Sequence, residues 1–377
     1  MAFDLDTALE TALALGASDL HVKVPAVPRV RIAGRLRELE GFPAISPEDT
    51  QAVMDRVLVS EQKRAIFQEA GAVDLSYFTS HGRFRVAAFT QRGSASFVFR
   101  AIPAAPATET LGLPPTVLSW ADELRGLIVV TGPTGAGKST TGAALVDRVN
   151  QTRPMHILTI EDPIEYLHPD NKSIITQREI GLDAPTYHVA LRAALRQDPD
   201  VILIGEVRDE ETAMTALRAA ETGHLVLCTM HTINAAETVQ RFIDLFGERQ
   251  ALLARQMLSA TLVGICSQRL VPGTGGGLTL NAEVLVNSSR VRDLIANGSQ
   301  TELDKAVKEG DYYGMRTFDQ CLLSHVRAGT VTRSDALAYS TNQHDFRLML
   351  EAEPPDSPAQ PREAPATNGT PRDALSA

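Results

Sequence analysis

Four short aliphatic runs in the middle of the chain, each followed at once by polar residues, constrain the fold more than any other feature. The runs are LIVV at 127–130, ILTI at 157–160, VILI at 201–204 and LVLC at 225–228. Stretches with helical periodicity separate them, which is typical of βαβ units around a parallel sheet. In such a sheet, the groups just after the carboxyl ends of the strands line one ligand crevice. The sequence therefore predicts an α/β fold with a single active site where the four runs end.

The segment after the first run satisfies the phosphate-binding consensus G-x-x-x-x-G-K-[S/T] between a predicted strand and a predicted helix, as the motif requires. We call residues 132–140 the P-loop. The predicted nucleotide-binding residues are Gly132, Pro133, Thr134, Gly135, Ala136, Gly137, Lys138, Ser139 and Thr140. Backbone amides would surround the phosphates of ATP, Lys138 would reach the β and γ phosphates, and the Ser139 hydroxyl would bind Mg²⁺. ATP and Mg²⁺ are therefore the expected cofactors, and a chance glycine-rich turn is the alternative.

Acidic residues follow the second and third runs, where a P-loop ATPase needs a carboxylate near the metal and the attacking water. Glu206 is the leading candidate for this catalytic and metal-binding role, and Glu161 and Glu165 leave the ILTI run in the same way. The alternatives are that residues 206–209 only cap the next helix, a role we favour for Asp209, and that residues 161–165 form a solvated loop.

Two histidines flank the fourth run. His231 follows it, at the end where a ring nitrogen can sense the γ-phosphate or its loss, so it joins the catalytic candidates. A lone histidine is usually structural, and that is the role we expect for His224, which precedes the run.

The strand, turn and composition patterns of the remaining sequence divide the chain into five segments. Strand and turn patterns, with tight turns at Ala33-Gly34 and Arg92-Gly93 and a helix N-cap at Ser46, predict a small domain at the N-terminus. The expected bounds are 1–103 for an α+β (PAS-like) domain, 104–115 for a proline-rich linker, 116–270 for a RecA-like ATPase core, 271–350 for a helical region and 351–377 for a disordered tail rich in Pro, Ala and Ser.

Charge and composition exclude several classes of function. A net charge of -10 gives no general electrostatic reason to bind nucleic acid directly. The three cysteines are far apart and predict neither a zinc site nor a disulfide. The N-terminus lacks the basic start of a signal peptide, and no apolar stretch approaches the roughly 20 residues of a membrane helix. We therefore expect a cytoplasmic protein that meets a membrane only through partners.

Motifs spread over about residues 10–350 resemble those of the secretion-type hexameric ATPases, and among these the type IV pilus retraction (twitching motility) ATPases. The matching stretches are ASDLH at 17–21, RFRV at 83–86, VFRAIP at 98–103, GPTGAGKSTT, ILTIEDPIEY, TQREIG at 176–181, LRAALRQDPD at 191–200, GEVRDEET and ETGHLVLCTMHT. By this resemblance EDPIE is the Asp box, GEVRD the atypical Walker B segment with Glu206 as the catalytic glutamate, and TGHLVLCTMHT the His box.

The resemblance implies a homohexamer at the cytoplasmic side of the inner membrane, where it would drive pilus retraction through the pilus inner-membrane platform protein. A paralogous retraction ATPase is a further implied partner. The family's usual AIRNLIRE motif is matched only in part by SSRVRDLIANG at 288–298, and the later sequence is more similar to the accessory paralogue than to the principal motor.

Other functions remain as alternatives at this point. Pilus assembly and type II secretion ATPases usually carry a long additional N-terminal domain and a four-cysteine zinc module, and neither pattern occurs in this sequence. A RecA-like nucleic-acid translocase would be expected to carry basic strips or aromatic platforms. A non-catalytic partner that binds ATP would not need Lys138, Ser139, Glu206 and His231 together.

Arginines on two predicted strands complete the set of candidates. Arg83 and Arg85 are two residues apart and are expected on one strand face, and Arg100 lies on the next strand. A solvated face is the ordinary explanation. The resemblance implies instead that this domain packs on the ATPase core of a neighbouring subunit, where Arg85 and Arg100 would reach the nucleotide phosphates, with Arg83 as substitute if the register differs.

Overall fold

The structure is a computed structural model that describes residues 3–352. Two β-sheets organise these residues. The first sheet, which we call the N-terminal sheet, has six strands in the order β3-β2-β1-β6-β5-β4. The second, the core sheet, has seven strands in the order β13-β12-β7-β11-β10-β8-β9. The predicted tail lies almost entirely outside the described residues, which end at residue 352.

The N-terminal sheet is antiparallel throughout. Its strands are β1 (Asp19–Lys23), β2 (Arg29–Ile32), β3 (Arg35–Glu38), β4 (Ala72–Thr79), β5 (Gly82–Gln91) and β6 (Ser94–Ala101), and its helices are α1 (Leu5–Ala14), α2 (Pro47–Val57) and α3 (Glu61–Ala70). Both predicted tight turns are present, with positive φ at Ala33, Gly34, Arg92 and Gly93, as two-residue hairpins require. Ser46 caps α2 through a capping box, as predicted.

The four aliphatic runs form neighbouring parallel strands of the core sheet. They are β7 (Gly126–Thr131), β8 (His156–Glu161), β10 (Val201–Ile204) and β11 (Leu225–Met230), accompanied by β9 (Ile174–Glu179), β12 (Leu262–Pro272) and β13 (Leu278–Val286). Every residue of β7, β10 and β11 is buried, which explains why these runs are continuously apolar rather than alternating. The predicted α/β core with its second α+β unit and helical C-terminal region is therefore confirmed.

Helices cover both faces of the core sheet. They are α4 (Pro115–Ser119), α5 (Lys138–Thr152), α6 (Tyr187–Ala194), α7 (Glu210–Glu221), α8 (Ala235–Asp244), α9 (Glu248–Thr261), α10 (Ser289–Asn297), α11 (Gln300–Lys308), α12 (Phe318–Arg327), α13 (Arg333–Tyr339) and α14 (Gln343–Glu351). Alternate strand residues face two separate clusters: one contains α6 to α9, and the other contains α5 and the segment that leads into β7. None of these helices, nor those of residues 3–70, is long and apolar enough to cross a bilayer.

The single tryptophan marks where the predicted linker meets the core sheet. Trp120 is buried in the cluster on the α5 side, and its indole ring lies against Gly264 of β12 so closely that a Cβ there would overlap it. The sheet also extends beyond residue 270, the expected end of the core, because β12 continues to Pro272 and β13 folds back antiparallel to it. The expected boundary between the ATPase core and the helical region, at residue 270, therefore falls inside β12.

Candidate active site

The P-loop connects the end of β7 to the start of α5, and two of its glycines are required by geometry. Gly132 has φ 147°, and a Cβ at this position would lie 2.5 Å from the carbonyl oxygen of Gln268. Gly137 has φ 87° and is the N-cap of α5, in the left-handed region that favours glycine. The first amides of this 15-residue helix therefore open into a cleft, an arrangement that binds phosphate.

Lys138 lies under this loop with only 9% of its surface exposed. Its Nζ atom donates to the carbonyl oxygens of Gly132 at 2.8 Å and Pro133 at 3.1 Å, and it lies 3.4 Å from Nδ1 of His231. Burial lowers the pKa of Lys138, against the opposing effect of the carboxylates of Glu206 and Glu165. The ammonium group is thus held where the P-loop, the His box and the acidic residues meet.

Glu206, just after β10, is joined to Lys138 through one histidine ring. The Nε2 atom of His231 lies 3.2 Å from Oε1 of Glu206. Because the Lys138 ammonium can only donate, its contact assigns Nδ1 as the acceptor and places the ring proton on Nε2, facing the carboxylate. Burial raises the pKa of Glu206, but the hydrogen bond and charge of Arg208 and the hydrogen bond from His231 outweigh it and lower the pKa below its usual value. Glu206 is therefore a carboxylate at neutral pH.

The charges that follow Glu206 have separate roles. Asp209 caps α7, accepting from the Thr212 amide at 2.8 Å, which confirms the capping role predicted for it. The exposed guanidinium of Arg208 pairs with Glu206 instead. Glu206 itself faces the cleft. The Nδ1 atom of His224 lies 3.0 Å from the Ala219 carbonyl oxygen, in line with the structural role predicted for this histidine.

The acidic loop, residues 161–165, carries carboxylates of two kinds. Glu161 is partly buried and accepts hydrogen bonds from the Thr159 hydroxyl at 2.6 Å and the Gln177 amide at 3.3 Å. Burial raises the pKa of Glu161 despite these bonds. Glu165 is exposed at the rim of the cleft. The structure brings both residues to the site, but in different environments from Glu206.

A cavity of about 450 Å³ lies between the four strand ends, as their convergence predicted. It is lined by the P-loop together with Glu161, Glu165, Glu206, Thr229 and His231, and also by Tyr187, His168 and Leu270. Nothing in the sequence identified these last residues. Tyr187 packs over the end of β10, where a Cβ on Gly205 would lie 2.9 Å from its hydroxyl oxygen, and burial lowers the pKa of His168 to about 4.

Gln268 is a further residue that sequence reasoning missed. It is fully buried on β12, and its side-chain amide donates to the Thr141 hydroxyl at 2.7 Å, which fixes the first turn of α5. Its backbone oxygen is the atom that approaches Gly132. The available signal was the group of three polar residues, Ser267, Gln268 and Arg269, between two apolar stretches.

The candidate arginines lie in the N-terminal sheet and do not contact the P-loop of their own chain. Arg85 and Arg100 are exposed and stand opposite each other in the β5–β6 register. Arg100 pairs with Asp19 at 2.8 Å, although two thirds of its side chain remains exposed. Arg83, by contrast, is buried in an ion pair with Glu179, so it is not available as the substitute donor that we expected.

The chain can be placed among known proteins on this basis. The statistical model of the family described as "Type II/IV secretion system protein" matches residues 2–332. The chain belongs to this family. As a secretion-family protein with a P-loop and an adjacent carboxylate, it is an ATP hydrolase.

Relatives within the family sharpen the placement. The "Type IV pilus retractation ATPase PilT" of Pseudomonas aeruginosa is 40% identical over 88% of this chain and 97% of its own length. A "Twitching motility protein" of Neisseria gonorrhoeae is 42% identical over 85% of this chain and 86% of its own. A crystal structure described as the pilus retraction motor PilT with bound ADP superposes with a TM-score of 0.82 at 44% identity, covering 92% of this chain and all of that one. The family likeness inferred from the motifs is thereby confirmed.

Proposed function

We propose that this chain is the ATPase of a type IV pilus retraction motor. The observation that carries the proposal is the contact series from Lys138 through His231 to Glu206, which joins the phosphate-binding loop to an ionised carboxylate. Likeness to pilus retraction ATPases over nearly the whole chain supplies the biological setting.

The residues around the cleft divide the work of hydrolysis. Lys138 binds the β and γ phosphates, Glu206 orients the attacking water and takes up its proton, and His231 holds the Glu206 carboxylate in place. Thr134 and the other P-loop residues surround the phosphates with backbone amides.

Ser139 and Glu206 are the residues that would hold Mg²⁺. Both line the cavity, and Ser139 is exposed at the start of α5. Within residues 3–352 no group of three or more His, Cys, Asp and Glu side chains is arranged to bind a metal. This donor set fits Mg²⁺ in a nucleotide site, where one or two protein ligands act together with phosphate oxygens and water. The ion neutralises charge on the β and γ phosphates when bound.

A homohexamer is the proposed working form, with Arg85 and Arg100 reaching the nucleotide of a neighbouring subunit. Both side chains are exposed and stand opposite each other in the β5–β6 register, which leaves them accessible to the nucleotide of a second chain. An arginine supplied in this way stabilises transition-state charge and is worth about 10³-fold or more in kcat.

Mixing two inactive variants tests this assignment. Lys138→Ala lacks a working P-loop, and Arg85→Ala/Arg100→Ala lacks the arginine donors, so each alone should be nearly inactive. In mixed assemblies some interfaces pair an intact P-loop with intact arginines, and part of the activity should return. Full activity of the arginine variant alone, or no recovery despite co-assembly, would remove these arginines from the site.

The proposed partners are the pilus inner-membrane platform protein and a paralogous retraction ATPase, with a location at the cytoplasmic face of the inner membrane. Steady-state ATP hydrolysis should increase when the platform protein is added. Single-stranded DNA is the matched comparison, and it should leave the rate unchanged because the acidic chain offers it no general attraction. Stimulation by DNA alone would favour a nucleic-acid translocase.

A further inference from the structure

Glu179, the last residue of β9, ends between the two sheets with 7% of its surface exposed. Its Oε1 atom accepts from the Ser76 hydroxyl at 2.6 Å, and its Oε2 atom pairs with the guanidinium of Arg83. The same Oε2 also accepts from the backbone amide of Ile164 at 3.2 Å. One buried carboxylate of the core sheet therefore contacts two side chains of the N-terminal sheet and the backbone of a loop.

These partners belong to different parts of the molecule. Ser76 on β4 and Arg83 on β5 lie in the N-terminal sheet, and the Arg83 guanidinium also stacks 4.4 Å from the centre of the Phe78 ring. Ile164 lies in the acidic loop of the ATP site, between Glu161 and Glu165. The Glu179 side chain is thus a direct link between the N-terminal sheet and the loop.

Backbone contacts also connect the end of β9 to the start of the acidic loop. Glu179 stands opposite Glu161 in the parallel β8–β9 register, and the Ile180 amide donates to the Glu161 carbonyl at 2.8 Å. The start of the acidic loop is therefore fixed by the backbone, whereas its middle is fixed at Ile164 by the Glu179 side chain.

A buried carboxylate is tolerated only with its counter-charge and its hydrogen bonds in place. Arg83 supplies that charge, and it binds the same oxygen that holds the Ile164 amide. Displacement of the N-terminal sheet would withdraw the charge and release the loop. Arg83 of the N-terminal sheet and the middle of the acidic loop are therefore bound to the same carboxylate oxygen.

We propose that Glu179 is a positioning residue for ATP hydrolysis, and that Arg83 acts through it on the acidic loop of the same chain. The effect on turnover rests on the proposed function, but the coupling itself does not. It differs from the role proposed for Arg85 and Arg100, which act on a neighbouring chain.

Hydrogen–deuterium exchange tests the coupling without reference to activity. In Arg83→Met, backbone amides in the peptide that spans residues 161–166 should exchange several-fold faster than in the parent, while a peptide covering α7 should be unchanged. Arg290→Ala is the matched control, because it breaks an ion pair of 2.9 Å, between Arg290 and Glu309, that is exposed. Unchanged exchange in the loop of folded Arg83→Met would overturn the proposal.

Kinetics distinguish positioning from a merely structural contact. Arg83→Met and Glu179→Gln should each lower kcat by about 10-fold to 100-fold, because small displacements of a catalytic loop are costly. KM for ATP and the affinity for a fluorescent ADP analogue should change by less than about twofold. The fold-loss of kcat in the double variant should be smaller than the product of the two single fold-losses, since both substitutions remove the same interaction. Parent-like kcat, or losses that follow only the folded fraction, would contradict the proposal.

The mixing experiment then separates the two sets of arginines. Combining Lys138→Ala with Arg83→Met should restore no activity, because the chain with the intact P-loop keeps its displaced acidic loop in every assembly. Recovery comparable to that of the Arg85→Ala/Arg100→Ala mixture would show that Arg83 acts on a neighbour and would refute the assignment. If the parent enzyme hydrolyses no ATP, the proposed function fails, and the exchange experiment still decides the coupling.

Discussion

The loops after β10 and β8 place glutamates beside the same cleft, yet they give them opposite electrostatic environments. Glu206 faces the cations of Arg208 and Lys138, and its pKa is lowered despite the opposing effect of burial. Glu161 is surrounded by neutral donors, and burial raises its pKa. The comparison teaches that position at a strand end selects the candidate carboxylates, whereas neighbouring charge and burial set the direction in which the pKa of each one shifts.

The largest effect is expected for Lys138→Ala, which removes the cation that faces both Glu206 and the P-loop. Steady-state ATP hydrolysis should fall below detection, because no other P-loop side chain presents a positive charge to the phosphates. The melting temperature should not fall by more than a few degrees. A variant that hydrolyses ATP at the parent rate would invalidate the assignment of the whole cleft.

Glu206→Gln should lower kcat by about 10²-fold to 10⁴-fold while ATP binding is retained, since the amide keeps the shape but cannot take up a proton. Single-turnover hydrolysis and ATP affinity measure the two effects separately. Glu165→Gln is the matched control at the rim of the same cleft, and its loss should be smaller. An equal or larger loss in the control would move the catalytic role to the acidic loop.

Glu161→Gln should lower kcat by less than about 10-fold, because neutral donors already satisfy this side chain and the amide oxygen can accept the same bonds. This variant tests the comparison most directly. If Glu161→Gln matches Glu206→Gln in single-turnover rate, then the difference in environment does not determine function.

The smallest effect concerns a third carboxylate on the core sheet, far in sequence from both loops. Glu283 on β13 accepts from the Ala235 amide at 2.8 Å, and burial raises its pKa from 4.5 to about 7. Between these values the folded chain holds a proton that the unfolded chain releases, so this residue's contribution to stability is lost as pH rises toward 7. Glu283→Gln should therefore be more stable than the parent at pH 8, by about 1–3 kcal/mol, and no more stable at pH 4.5. Melting curves at both pH values check this, and a difference independent of pH would show that Glu283 does not titrate in this range.

Much of this site was predictable because its residues are adjacent in sequence to recognisable strands. LIVV and VILI are apolar enough to be assigned to a buried parallel sheet, and the P-loop and Glu206 follow them directly. Tyr187 and Gln268 were not predictable, because their roles depend on approaches to Gly205 and Gly132 that only the assembled fold creates.

The pairing of Arg83 with Glu179 spans 96 residues and joins two sheets. Strand alternation predicted that Arg83 and Arg85 share a face, but not that the core would cover one of them and leave the other exposed. Local patterns describe one element at a time, whereas the burial of this arginine depends on how the two sheets meet.

Trp120 gives the molecule an intrinsic optical probe that packs against only one of its two sheets. Because the sequence contains a single tryptophan and it packs against β12, indole fluorescence reports the core sheet alone, whereas far-ultraviolet circular dichroism reports both sheets. Denaturation curves from the two signals will coincide if the sheets unfold as one cooperative unit and separate if they do not. The same emission can be followed during ATP turnover without an attached label. A change in its intensity or wavelength would report movement where the linker meets the core sheet.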